Sequence, residues 1–234
     1  LYAGMLVHRA KIAKVNHLVD ATPIPNWTLL FSKLIALIKM QLLLLTVIMV
    51  SGILFQIYKG YYNFEIGHYI MDLYFLDFLN YLVWALLAIF IQTLIGNPYL
   101  GLFALLVISI GMPFLSLAGI EQSIFKYNQG PGYSYSDMNG YGVLTQFLVY
   151  KTYWIFCGLA LFVMSALFWV RGIPASFRER FSVAIARLKG AYALGLVVFL
   201  IAFFTLGFSI YQATGTKDKR TSSKEFELRS VEWE

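Results

Sequence analysis

Long runs of apolar residues alternate with short polar segments along most of this chain. A membrane-crossing helix needs about 20 apolar residues, and a spanning segment must be helical because lipid cannot hydrogen-bond an open backbone. Five runs reach this length. Their expected bounds are Met40–Tyr58, Phe78–Gly96, Tyr99–Ile120, Phe147–Val170 and Ala191–Ala213. The pattern predicts an all-α integral membrane bundle of about five transmembrane helices.

Polar and helix-breaking residues divide these runs. Asn97 and Pro98 separate the second span from the third, and Gly111 and Pro113 predict a kink within the third. The apolar start of the chain resembles the last turns of a preceding helix, so we expect part of a longer polypeptide. Residues 1–39 would form the end of that helix and a cytoplasmic segment, 40–213 the bundle, and 214–234 a charged tail leading to a further domain.

Composition supports lipid as the solvent. The chain is 59% hydrophobic and only 13% charged, with a mean hydropathy of +0.70, whereas soluble domains carry about 25% charged residues. The net charge is +6, but the cations lie between apolar runs and form no continuous stripe. Nucleic acid is therefore not an expected partner.

The cations also predict orientation. Basic residues cluster before the first span and between the fourth and fifth, and such segments prefer the cytoplasm. They are Arg9, Lys11, Lys14, Lys33 and Lys39, and then Arg171, Arg178, Arg180, Arg187 and Lys189. Four crossings between the segments place both on one side and the tail outside. The tail carries cations of its own, so a cytoplasmic tail is the alternative.

The sequence contains no common catalytic motif, so this chain is not expected to be an enzyme or to bind a cofactor or metal. Its three histidines lack ligand spacing, and its single cysteine, Cys157, lies within a span. Lys39 and Lys151 fall at span ends, where their ammonium groups can reach the interface. Uncharged polar side chains and small residues are expected to join helices. They are Gln41, Thr46, Asn80, Gln92, Gly158, Ala160, Ser165 and Ala166.

The segment His8–Asp20 has an apolar stripe beside its cations, which predicts a short amphipathic cytoplasmic helix. We expect Arg9, Lys11 and Lys14 to contact a cytoplasmic partner; contact with anionic lipid is the alternative. A similar interfacial helix is predicted over Phe64–Asp77.

A second distinctive segment, Phe125–Gly142, is dense in tyrosines and turn residues and should lie outside. Tyr135, Asp137, Asn139 and Tyr141 are candidates for docking another domain. The alternative is that the loop is only a packed cap over the helices.

Two resemblances follow from these residues. The short helix, the turn Ala21–Pro25 and the following span with Lys33 resemble permease subunits of type-2 ATP-binding-cassette exporters, although His8 replaces the usual acidic residue beside the arginine. Tyr135–Gly142 and Thr221–Glu225 resemble a bacterial fusion, typical of Bacteroidetes, of such a permease-like region with a zinc aminopeptidase.

The resemblances imply a multi-pass protein of the bacterial inner membrane acting in export. A separate cytoplasmic subunit would bind ATP, and an extracytoplasmic aminopeptidase would follow the tail. No residue of that peptidase's zinc site has a counterpart in this chain. The alternative function is a non-transporting membrane anchor or scaffold for an outside peptidase or complex.

Overall fold

The structure is a computed structural model that describes residues 1–116, 119–120, 122–136, 138, 140–142, 144–169, 171 and 177–217, except the side chains of Phe177 and 214–217. Within these ranges the fold is all-α, as predicted, and the only β-type pairing is an isolated bridge between Ser136 and Gly140. The helices are α1 Tyr2–Ile12, α2 Asn16–Ala21, α3 Asn26–Tyr58, α4 Ile66–Leu94, α5 Pro98–Phe114, α6 Leu144–Phe168, α7 Phe177–Arg187 and α8 Ala191–Lys217.

Four of these helices, α3, α4, α6 and α8, are long and apolar enough to cross a membrane. This confirms the prediction of a multi-pass membrane bundle. The third predicted span is shorter than expected, because α5 is an apolar helix of 17 residues, at the lower limit for crossing. Pro113 lies in the last turn of α5, which ends one residue later at Phe114, and the kink within this helix stays a prediction.

Helices α4 and α6 form the centre of the bundle. One apolar cluster joins Leu30 and Leu34 of α3 to Leu86 of α4 and Phe162 of α6. A second cluster joins the same two central helices to Ile210 of α8 and to the loop before α6. The helices α3 and α8 therefore lie at the periphery, with broad apolar faces exposed.

Small residues allow the close helix contacts that were predicted. A Cβ placed on Gly158 of α6 would lie 2.7 Å from Leu86 Cδ1 of α4. Ala160, Ser165 and Ala166 are also buried in α6. The uncharged polar residues act partly as expected: Gln41 Nε2 donates to Tyr81 O at 2.9 Å across α3 and α4, whereas Ser165 bonds within its own helix.

The helix directions create two chemically different ends. The basic end contains the first residues of α3, α5 and α8 and the last residues of α4 and α6. Here Arg171 Nε donates to Asn26 Oδ1 at 2.7 Å, and Arg180 Nη1 donates to Leu94 O at 3.3 Å. The two basic segments thus lie on one side of the bundle, as predicted. The opposite tyrosine end contains the last residues of α3, α5 and α8 and the loop before α6.

The predicted helix His8–Asp20 is two helices. Helix α1 begins earlier, at Tyr2, and ends at Ile12. Lys14 then adopts the left-handed conformation with φ 56°. Val15 N donates to Ala10 O and Lys14 N to Lys11 O, which is a Schellman ending and turns the chain before α2.

The predicted interfacial helix Phe64–Asp77 is also not separate. Residues from Ile66 onward form one continuous helix with the second span, as α4. Within α4, Ile70–Asp77 is a π-helix, in which backbone bonds join residues five apart. Asp72 and Asp77 therefore fall on one face, whereas five residues in an α-helix are about 1.4 turns apart.

Candidate functional site

The predicted partner-contact residues lie on a protruding turn at the basic end. Arg9, Lys11 and Lys14 are all exposed. The apolar residues between and after them are exposed too, with Ile12 at 54% and Leu18 at 72%. We refer to residues 9–18 as the α1–α2 corner. It presents cations and apolar side chains together on one surface.

Helix α1 is fixed to the bundle by a buried glutamine. Gln92 of α4 is 1% exposed and lies between two glycines. A Cβ on Gly4 of α1 would lie 2.9 Å from Gln92 Nε2, and one on Gly101 of α5 would lie 2.5 Å from Gln92 Oε1. Gln92 Nε2 donates to Pro98 O at 3.3 Å. Helices α1, α4 and α5 therefore interlock around one side chain.

A small cleft opens beside this junction. Its volume is about 70 Å³, and its lining includes Lys11 of α1, Lys33 of α3 and Arg180 of α7. Burial lowers the pKa of Lys11, the positive charge of Arg180 lowers it further, and Asp20 opposes both. Three cations from distant parts of the sequence thus meet at the basic end.

At the tyrosine end, Tyr135 and Tyr141 contact His68 near the start of α4. The rings of Tyr135 and His68 have centroids 4.1 Å apart, and Tyr141 Oη lies 3.2 Å from His68 Nδ1. Burial and a hydrogen bond to Asp72 raise the pKa of Tyr141 to about 12. Asp137 and Asn139 lie outside the described residues. Docking of another domain here stays a prediction.

The loop before α6 is anchored by hydrogen bonds to the central helices. Tyr127 Oη donates to Val83 O at 2.8 Å, Trp154 Nε1 to Gln129 O at 2.9 Å, and Tyr133 Oη to Asp77 Oδ1 at 3.0 Å. Burial and that bond to Asp77 raise the pKa of Tyr133. Residues 127–133 of the loop thus have the character of a packed cap, the alternative left open by the sequence, whereas Tyr135 and Met138 are exposed.

Lys151 corrects another expectation. Its ammonium group does not extend to the surface of the bundle, since the residue is only 4% exposed. Its Nζ donates to Asn128 O at 2.8 Å and to Asn128 Oδ1 at 2.9 Å. A cavity of about 360 Å³ adjoins it, lined also by Asn80, Tyr133 and Phe147. The buried ammonium thus ties the loop to α6.

Among the residues that the structure describes, no group of three or more His, Cys, Asp or Glu side chains could hold a metal ion. The one cysteine, Cys157, is a free thiol in α6.

Comparison of the chain with known protein families, curated proteins and solved structures finds no match. The resemblance to exporter permeases therefore stays a prediction, and so does the aminopeptidase fusion. Thr221–Glu225, which carried part of it, lies outside the described residues.

Sequence reasoning missed the joint role of Lys33, Arg180 and Lys11. In the sequence, Lys33 and Arg180 serve as orientation signals, and Lys33 also in the resemblance to exporter permeases, because nothing in the sequence shows that the two residues line one cleft. One signal was available: Lys33 lies seven residues inside a helix of 33 residues, where a cation is costly unless it faces polar partners.

Proposed function

We propose that this chain is the membrane-spanning part of an exporter permease of the type-2 ATP-binding-cassette kind. The α1–α2 corner would receive the movement of a separate cytoplasmic ATPase. The proposal includes location in the bacterial inner membrane and an aminopeptidase domain following residue 234 on the other side.

The observation that carries the proposal is the combination of exposure and rigid attachment at the α1–α2 corner. Its cations and apolar side chains are free to meet a protein surface. Immediately behind it, Gln92 interlocks α1 with α4 and α5. Since close-packed interfaces transmit displacement, a push on the corner would move two helices of the bundle.

The test is ATP hydrolysis by the complex purified with the full-length protein from its native membranes. The variant Arg9→Glu/Lys11→Glu/Lys14→Glu should lose most of the co-purified, nucleotide-specific activity. The control Lys189→Glu removes an exposed cation at the same end but outside the corner, and should retain it. Activity that is absent from the wild-type preparation, or unchanged in the triple variant, would reject the coupling role.

A second candidate function is a non-transporting scaffold. Only 17% of the most apolar stretch of α3 and 6% of that of α8 is buried inside the chain. Such faces suit lipid or other membrane helices equally well. Absence of nucleotide-stimulated transport in liposomes, together with intact tethering of a peptidase, would favour the scaffold.

A further inference from the structure

The cleft at the basic end concentrates positive charge within a small volume. Lys11, Lys33 and Arg180 line it from three different helices, and Asp20 is the one carboxylate among the described residues of the lining. Like charges in a partly buried site repel one another, and an anion bound among them would remove that cost. The cluster therefore favours an anionic ligand.

Hydrogen-bond donors in the cleft are incompletely used. Lys33 Nζ donates to Leu6 O at 2.8 Å, which leaves further N–H groups on the ammonium. Arg180 Nε is buried and has no hydrogen-bond partner among the described residues. The same holds for His8 Nε2, on a side chain only 5% exposed that also lines the cleft. Buried polar atoms are normally paired, so Arg180 Nε, which can only donate, indicates a missing acceptor. His8 Nε2 can share this acceptor in the tautomer that carries the proton on Nε2.

The size of the cleft restricts that acceptor. A volume of about 70 Å³ holds a few water molecules and is too small for a nucleotide. A single tetrahedral oxyanion fits, and phosphate suits Lys and Arg donors best because it offers several charged oxygens.

The position of the cleft indicates the source of the anion. Trp169 lies in the lining, directly after the last residue of α6, and Lys33 Nζ lies 5.5 Å from the centre of its ring. Tryptophan favours the level of the lipid headgroups, and basic pockets between membrane helices suit phosphorylated headgroups.

We propose that this cleft binds one phosphate group, supplied by the headgroup of an anionic phospholipid. Lys33 and Arg180 are the principal donors, with Lys11 and His8 beside them, and Asp20 limits the affinity. The proposed phosphate site does not require that an ATPase couples to this chain. Of the three residues predicted to contact such a partner, only Lys11 lines the cleft.

The experiment measures lipid binding by the full-length protein in detergent. Thermal shift and native mass spectrometry are recorded with phosphatidylglycerol, with phosphatidylcholine, and with inorganic phosphate. We expect saturable binding of phosphatidylglycerol that phosphatidylcholine does not reproduce. Binding of inorganic phosphate alone would overturn the lipid source, and absence of binding by all three would overturn the site.

Matched variants locate the binding. Lys33→Met and Arg180→Met should each weaken phosphatidylglycerol binding by about tenfold or more, the loss expected for one charge-assisted hydrogen bond. Lys39→Met on α3 and Arg178→Met on α7 remove exposed cations from the same helices and should change little. Asp20→Asn should tighten binding.

A structural explanation for lost binding is tested by conservative replacement. Lys33→Arg and Arg180→Lys keep the charge, so they should retain most of the affinity. Equal losses in the cleft variants and the control variants would overturn the assignment to this cleft. So would full affinity in Lys33→Met and Arg180→Met.

Discussion

The two ends of the bundle hold their buried cations in opposite ways. At the tyrosine end, the buried ammonium group of Lys151 donates two hydrogen bonds to Asn128. At the basic end, three cations meet in one cleft, and Arg180 Nε and His8 Nε2 have no partner within the described part of the chain.

This difference distinguishes a cation that stabilises the fold from cations that are available to bind a ligand. Polar groups that are satisfied internally fix the shape of the chain, because their loss leaves buried acceptors unpaired. A buried donor without a partner inside the protein forms its hydrogen bond only when a ligand binds. Mutation of Lys151 is therefore expected to act mainly through stability, and mutation of the cations in the cleft also through binding.

The largest expected effect tests the junction behind the basic end. In Gly101→Val, the new side chain would overlap Gln92, which a Cβ already approaches to 2.5 Å. We expect a loss of about 3 kcal/mol in the free energy of unfolding from overpacking, measured by denaturant titration in detergent. Gly111→Val is the control at the other end of α5, where a Cβ meets nothing within 4 Å. Equal losses would show that α1 is not locked by Gln92.

The next prediction concerns the buried lysine of the tyrosine end. Lys151→Met removes the donor to Asn128 O and Oδ1, and should lower the free energy of unfolding by about 2 kcal/mol. The exposed Lys59 of the same end provides the control Lys59→Met, with little change expected. An unchanged unfolding curve for Lys151→Met would contradict a structural role and leave this lysine available for a ligand in the adjoining cavity.

A smaller effect is expected from a single hydroxyl in the cap. Tyr127→Phe deletes the donor to Val83 O, at a site where the tyrosine is 8% exposed. The expected cost is about 1 kcal/mol, read from the same unfolding measurement. Tyr58→Phe, at a residue 83% exposed, should cost nothing measurable; equal costs would argue against anchoring of the loop.

The smallest effect is a pH dependence at the basic end. Burial, followed by the charge of Lys11, lowers the pKa of His8 below 6.5. The unfolded chain then takes up a proton at a higher pH than the folded chain, so stability falls as the pH drops through about 6.5. In phosphate-free buffer, the melting temperature should fall between pH 7.5 and 5.5 by more in the wild type than in His8→Gln. An equal fall of the melting temperature in the wild type and in His8→Gln would show that His8 does not cause the pH dependence.

Much of the fold followed from apolar run length alone. The helices α3, α4, α6 and α8 were predicted because no other backbone structure satisfies its hydrogen bonds across lipid. Their starts were less predictable: α3 begins at Asn26, well before the expected Met40. The residues before Met40 are amphipathic. Their composition in the sequence is the same whether they continue the helix or form a separate segment.

The site was less accessible to sequence reasoning. The exposed positions of Arg9, Lys11 and Lys14 agreed with a helix rich in cations. The burial of Lys151 did not follow, since a lysine near a span end has the same sequence context whether it reaches water or meets Asn128.

The sequence by itself determined that this protein is helical and apolar enough for a membrane, and that two basic segments precede its first and fifth predicted spans. The tertiary structure alone decided that Lys33, Lys11 and Arg180 share one cleft and that Gln92 lies between Gly4 and Gly101. The physical reason is that hydropathy acts on each segment separately. Contacts between residues of different helices depend on how the finished helices pack.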